Sequence, residues 1–287
     1  MRHRCTVIRL QYRARVPAPP LLFDRLLDDA AMFPPGNADA ATAVAEHLGY
    51  RAGDLDAYVG PLLVHADRWL ELAAAHAAAG SPALDVVVLG TAERPRTVPG
   101  VRVVGFELPV ADLPLPAAEP GFPIACEIRA DDAGHRVLEA IASAAGDYIG
   151  KFRTGGTTAE AFPDEATVAS VVVDAVRVGA PMKFTAGLHH AVRFRDEQTG
   201  FEHHGFVNLM VAVHAALGGA GEHDVASILH QRSGDDLAAK ITSWSPEDAK
   251  AVRRVFVSFG CCGVTDPVRD LISLGLLPGI DLGEGAR

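Results

Sequence analysis

Two lysines stand where a water-soluble chain rarely places them. In DYIGKFR (147–153) and again in PMKFTAG (181–187), apolar residues run into Lys151 or Lys183 and then into a turn containing threonine and glycine. Burying an ammonium group is costly unless partners or chemistry make use of it. Polar residues fall at matching points of the neighbouring runs. Glu107 closes VRVVGFEL, Glu127 and Arg129 close FPIACEIR, and Arg153 and Thr185 each follow a lysine by two. Side chains two apart share a strand face, so Lys151 pairs with Arg153, Glu127 with Arg129, and Lys183 with Thr185. An unprotonated amine attacks carbonyls, while charged lysine and arginine hold carboxylates and phosphates. Charge at the ends of four consecutive strands points to an active-site mouth; the alternative is a set of salt bridges capping the core.

The elements that must carry these residues alternate along the chain. Strand runs are expected at 59–64, 83–90, 101–108, 122–129, 147–153 and 181–187, nearly all apolar through their centres, as in sheets covered on both faces. Alanine-rich stretches of helical periodicity lie between them, one opened by Pro163-Asp164-Glu165 and closed by Gly179. CTVIRLQY offers an early strand. RVFVSFGCCG offers a late one, although Ala249, Val252, Phe256 and Phe259 also fit a helix starting at SPEDAK. Repeated strand–helix units imply parallel strands, and 287 residues suit an eight-fold βα barrel of about 250. The expectation is one α/β domain over 1–287, a parallel (βα)8 barrel of TIM type with an irregular helical C-terminal part. Residues 1–20 would be a basic arm or first strand. No strand leads into G-x-G-x-x-G, so a dinucleotide site is unsupported.

The stretches DYIGKFRTGGTTAEAF and VGAPMKFTAG resemble the two-lysine signature of the deoxyribose-phosphate aldolase family, class I aldolases built on a βα barrel. The resemblance implies that Lys151, before Thr154-Gly155-Gly156, forms a Schiff base with substrate. It further implies that Lys183, 32 positions on, is the electrostatic partner that lowers the pKa of Lys151. The chain departs from the family at Arg153, where a small hydroxyl residue is usual, in the placing of Gly187, and in LHHAVR, which stands where the family has a glycine-rich phosphate turn. Glu127 or Glu107 would take the part of the family's proton-transferring aspartate.

Physical chemistry supports an activated lysine. A free lysine has a pKa near ~10.4. A cation roughly 6 Å away costs the ammonium form on the order of 3 kcal/mol, or about two pKa units. Arg153 and Lys183 could supply that charge, and with Thr154, Gly155, Gly156, Arg129, Thr185 and Gly187 they would bind an anionic substrate. The other readings are a barrel that clamps a phosphorylated or carboxylated substrate without an imine, as phosphoribosyltransferases do, and a non-catalytic ligand-binding barrel.

The histidines come in two pairs, His189-His190 and His203-His204. Neighbours on an extended strand face opposite ways, and no H-x-H or H-E-x-x-H spacing occurs, so a metal site is not expected. A histidine at the mouth working as acid or base fits better, His189 or His190 being the best placed. Cys5, Cys126, Cys261 and Cys262 form neither a disulfide framework nor a metal motif, which points to reduced thiols in the cytoplasm. The turn Pro34-Pro35-Gly36, with Asn37 as a helix cap, could be a lid or the contact of a homo-oligomer. A formal charge of −10 argues against nucleic-acid binding. No apolar run reaches the ~18–20 residues of a membrane span. No cofactor is implied.

Overall fold

The computed structural model describes residues 20–109, 113–280 and 282. Its centre is a closed barrel of eight parallel strands: β1 (Leu27–Asp29), β2 (Val59–His65), β3 (Leu84–Leu89), β4 (Val101–Leu108), β5 (Ile124–Glu127), β6 (Tyr148–Arg153), β7 (Met182–Thr185) and β10 (Phe256–Cys261). A two-stranded antiparallel hairpin, β8 (Phe194–Arg195) with β9 (Glu202–His203), stands outside it. Around the barrel run α1 (Ala40–Ala52), α2 (Trp69–Ala78), α3 (Asp132–Ser143), α4 (Glu165–Val178), α5 (Phe206–Leu217), α6 (Glu222–His230), α7 (Gly234–Thr242), α8 (Pro246–Val255) and α9 (Thr265–Ser273). The expected (βα)8 architecture is what forms.

The sequence explains the layers. Leu84, Val86 and Val88 of β3 are buried against the helices, as are Phe152 of β6 and Phe184 of β7. α5 is apolar nearly all round, and Phe206–Val213 are all buried, so this helix lies deep rather than at the surface. Caps follow the local chemistry. Asp164 accepts from the Thr167 amide, and Gly179 ends α4 at φ 77°, a left-handed turn glycine adopts without strain.

Three expectations change, and one lies where nothing is described. The early strand expected from CTVIRLQY, with the rest of the basic arm and Cys5, lies outside the described residues; the first described strand is Leu27–Asp29, three residues long. RVFVSFGCCG is helix and strand in succession, since α8 runs to Val255 and β10 begins at Phe256. The irregular helical part is an insertion, α5 to α8, between the seventh and eighth barrel strands, followed by α9. α1 is capped by Asp39, whose carboxylate accepts from the Thr42 amide at 2.9 Å, while Asn37 sits two residues earlier at φ 48°. Among the described residues, β3 and β4 pass to the next strand without a helix.

No helix among the described residues is long and apolar enough to cross a membrane. Cys126, Cys261 and Cys262 are free thiols.

Candidate active site

Barrel closure sets the register of the site. Glu127 pairs across the ladder with Lys151, Lys151 with Lys183, and Lys183 with Ser258, so β5, β6, β7 and β10 present four polar side chains in one row. Phe152 and Phe184, next in sequence, turn to the helices, which fixes the lysine face as the barrel interior. β1 and β4 complete the group with Asp28 and Glu107.

These residues form one buried ion network. Lys183 Nζ donates to Asp28 Oδ2 at 2.5 Å and to Glu107 Oε1. Ser258 Oγ donates to the same Asp28 oxygen at 2.7 Å. Lys151 Nζ lies 2.9 Å from Glu107 Oε2 and 3.4 Å from Glu127 Oε2. Three carboxylates therefore face two ammonium groups, and Glu107 joins the lysines.

The two lysines are held differently. Lys183 makes two hydrogen bonds to carboxylates buried almost completely, and these charges push its pKa above the ordinary lysine value against the opposing effect of burial. Lys151 has one buried carboxylate beside it, Glu107 at 2.9 Å, where Lys183 has two. Its other neighbour, Glu127, is the open edge of the network, with 21% of its side chain exposed against 2% for Glu107. Burial drives the Glu107 pKa up, but Lys183 and Lys151 outweigh it and hold the carboxyl at about 2. Burial wins at Asp28, whose pKa is raised despite Lys183 and Ser258.

Asp28 needs room, and Gly60 provides it. A Cβ at Gly60 would stand 2.4 Å from Asp28 Oδ1. The neighbouring Asp29 turns outward. It accepts from the Ala31 amide at 3.0 Å and pairs with buried His47 of α1 at 2.9 Å, so this aspartate fastens a helix.

The remaining expected site residues are spread over the strand ends and the loops beyond them. Arg153 is exposed at the C-terminal end of β6 opposite Thr185, two residues beyond Lys151 on the same face, and no described residue pairs with it. Thr185 looks into the barrel above Lys183, as a Cβ built on Gly260 would lie 3.3 Å from its hydroxyl. Thr154, Gly155, Gly156 and Gly187 serve the loops. Thr154 Oγ1 donates to the Ala186 carbonyl at 2.7 Å, and a Cβ at Gly155 would meet Phe162 at 2.9 Å and Gly187 Cα at 3.0 Å. At Gly156 a Cβ would lie 2.5 Å from Ala161. Arg129 lies past the end of β5, where Nε donates to Asp131 at 3.2 Å and the side chain lines a cleft beside α3 and α4. It is not brought to the lysines.

The long loop after β7 places His189, His190 and the β8–β9 hairpin on the same barrel face. Phe162 joins it there, packing on Phe201 and His203 (ring centroids 5.1 and 4.6 Å) and reaching the Gly155–Gly187 contact. His190 Nδ1 faces Asp270 Oδ2 at 3.0 Å, a bond that raises its pKa. Among the described residues no group of three or more His, Cys, Asp or Glu is arranged to hold a metal.

Sequence reasoning did not find Asp28 or Ser258. Asp28 lies in the short LDD strand; Ser258 lies in the run that reads equally as helix.

No protein family matches the sequence, and no curated protein matches it. Fold alone does not name a reaction, so function has to be argued from the site.

Proposed function

We propose that this protein is a class I lyase of aldolase type, acting on a small anionic carbonyl compound through a Schiff base on Lys151. The observation that carries this reading is the unequal hold on the two lysines. Lys183 is hydrogen-bonded to two buried carboxylates and stays an ammonium ion, whereas Lys151 has one buried carboxylate, Glu107, and borders the open edge of the network at Glu127. An amine must shed its proton before it can attack a carbonyl. Glu127, 3.4 Å from Nζ, is the acceptor for that proton and, as the acid so formed, returns it to the carbinolamine hydroxyl, which leaves as water when the imine forms. Lys183 supplies fixed positive charge beneath the reacting carbon, and Arg153 at the rim takes the anionic group. Free thiols at Cys126, Cys261 and Cys262 suit a reducing cytoplasm.

The test is reductive trapping. Borohydride added with pyruvate or dihydroxyacetone phosphate should fix a mass adduct on the Lys151 peptide, and Lys151→Ala and Lys151→Arg should abolish it. Arginine remains protonated and cannot attack. An adduct on Lys183 instead would reverse the two roles.

A second reading rests on a specific observation: the charges nearest Lys151 are carboxylates rather than Lys183. On that reading Lys151 remains charged and clamps a carboxylated or phosphorylated substrate without an imine. Substrate-dependent turnover with no trapped adduct on either lysine would select it.

A further inference from the structure

The imine reading leaves open which group moves protons at the substrate carbon, and we infer that it is His189, acting through Nε2 with Cys262 as the partner of its other ring nitrogen. The inference rests on the proposed Schiff base at Lys151.

Four histidines crowd the loop after β7, and three are already engaged. His190 faces Asp270 at 3.0 Å. His203 Nδ1 lies 3.0 Å from the Gly187 carbonyl, and its ring stacks on Phe194. His204 is fully buried with Nε2 2.8 Å from the Pro163 carbonyl. His189 differs. It is partly exposed, its Nδ1 meets only the Cys262 sulfur at 3.8 Å, and Nε2 bonds to no described residue.

Position supports the role. His189 belongs to the loop after β7 and Cys262 to the end of β10. Gly36, against Cys262 with its Cβ position 3.0 Å from Cys262 Cβ, belongs to the loop after β1. β7, β10 and β1 are adjacent in the barrel, and their C-terminal ends stand over Lys183, Ser258 and Asp28. His189 thus sits on the rim above the sector that holds the fixed cation.

Its partner suits proton transfer. A carboxylate such as Asp270 fixes its histidine as the Nδ1–H tautomer, but a thiol can either accept from Nδ1–H or donate to bare Nδ1. Cys262 therefore tolerates both tautomers, and Nε2 can alternate between lone pair and N–H. Burial, then His203 and His190, lower the His189 pKa while Asp266 and Asp196 oppose them, so the ring is neutral at pH 7 and ready to accept. Burial likewise keeps Cys262 a thiol.

The step balances without an added reagent. With substrate bound to Lys151 as an iminium, Nε2 takes a proton from the adjacent carbon. The C–H pair becomes the enamine double bond, and the iminium π pair moves onto nitrogen. The imidazolium returns the proton in reverse.

The experiment follows deuterium entry into the methyl group of pyruvate in D2O by NMR, alongside borohydride trapping on Lys151. His189→Ala should keep the Lys151 adduct and lose exchange by about 100-fold or more, and added imidazole should restore part of it. Cys262→Ala should keep the adduct and slow exchange less. The wild-type rate should fall on the acid side below the ordinary histidine pKa, and His189→Asn should lack that limb. Undiminished exchange in His189→Ala overturns the assignment. So does a variant that loses adduct and exchange together without rescue by imidazole, since His189 would then be part of the fold. If wild-type protein gives no Lys151 adduct, the imine reading fails and this inference with it.

Discussion

Lys151 and Lys183 stand directly opposite each other on β6 and β7, and the carboxylate of Glu107 is wedged between their ammonium groups. Two like charges facing each other in a barrel interior would repel strongly at low effective dielectric. One carboxylate shared between them converts the repulsion into a chain of alternating charge.

Glu107→Gln should therefore be among the most damaging single changes in the barrel. It removes the common counter-ion and leaves two buried cations, a loss of about 3–5 kcal/mol for a broken buried pair. Urea denaturation would measure it. Adding Lys151→Met should recover part of the loss, because the cation that depends on Glu107 goes with it and leaves only the partly exposed Glu127, whereas Lys183 keeps Asp28. A Glu107→Gln protein as stable as wild type would show that water already screens the network.

The same carboxylate sets the response to acid. Its folded pKa, about 2, lies below the unfolded glutamate value, so the stability it contributes is present above roughly pH 4.3 and is lost as pH falls toward 2. Asp28 has the opposite sign: its pKa is raised, so its ionisation opposes folding as pH climbs past the ordinary aspartate value. Lys183, raised above the usual lysine value, contributes stability that persists below about pH 10.4 and fades in stronger alkali. Circular dichroism from pH 2 to 6 should show acid unfolding that becomes shallower in Glu107→Gln than in Asp28→Asn.

Gly60→Ala tests the cradle under Asp28. The new methyl would stand 2.4 Å from Oδ1, so the aspartate or β2 has to shift, at roughly 1–3 kcal/mol for an overpacked interior. Thermal melting would register the cost. An unchanged melting temperature would mean that the aspartate relocates freely and is not fixed by Lys183 and Ser258.

Arg153→Ala separates binding from folding. With Arg153 exposed and no described residue paired with it, stability should change little. Affinity for a carboxylate or phosphate ligand should weaken by about 1.5–3 kcal/mol, the worth of a charged hydrogen bond. Calorimetry with the trapped substrate class reads both. Unweakened binding would remove Arg153 from the site.

The barrel and most of its strands are legible in local patterns. β4 begins and ends where the apolar run VRVVGFEL does, and the lysines betray themselves as charges inside such runs. The ion pairing is not legible, because it depends on closure. Glu107 meets Lys183 across 76 positions and Asp28 meets it across 155, distances at which no local periodicity speaks. Asp28 lies beside Asp29 in a three-residue strand, and two adjacent acids read as a loop. Arg129 misleads for a related reason. The strand ends at Glu127, so the rule that residues two apart share a face no longer holds beyond it.

The hydrogen bond from Ser258 to Asp28 spans 230 positions and ties the eighth barrel strand to the first. A chain emerging from the ribosome makes Asp28 long before Ser258, and such distant contacts form late. Until β10 is inserted, Lys183 has Glu107 within reach but faces an open sheet edge where Ser258 will later anchor its second counter-ion. The two lysines and their carboxylates are thus assembled by the same event that seals the sheet. On the proposed reading, fragments ending before Phe256 should give no borohydride-trapped adduct however well their separate strands pair.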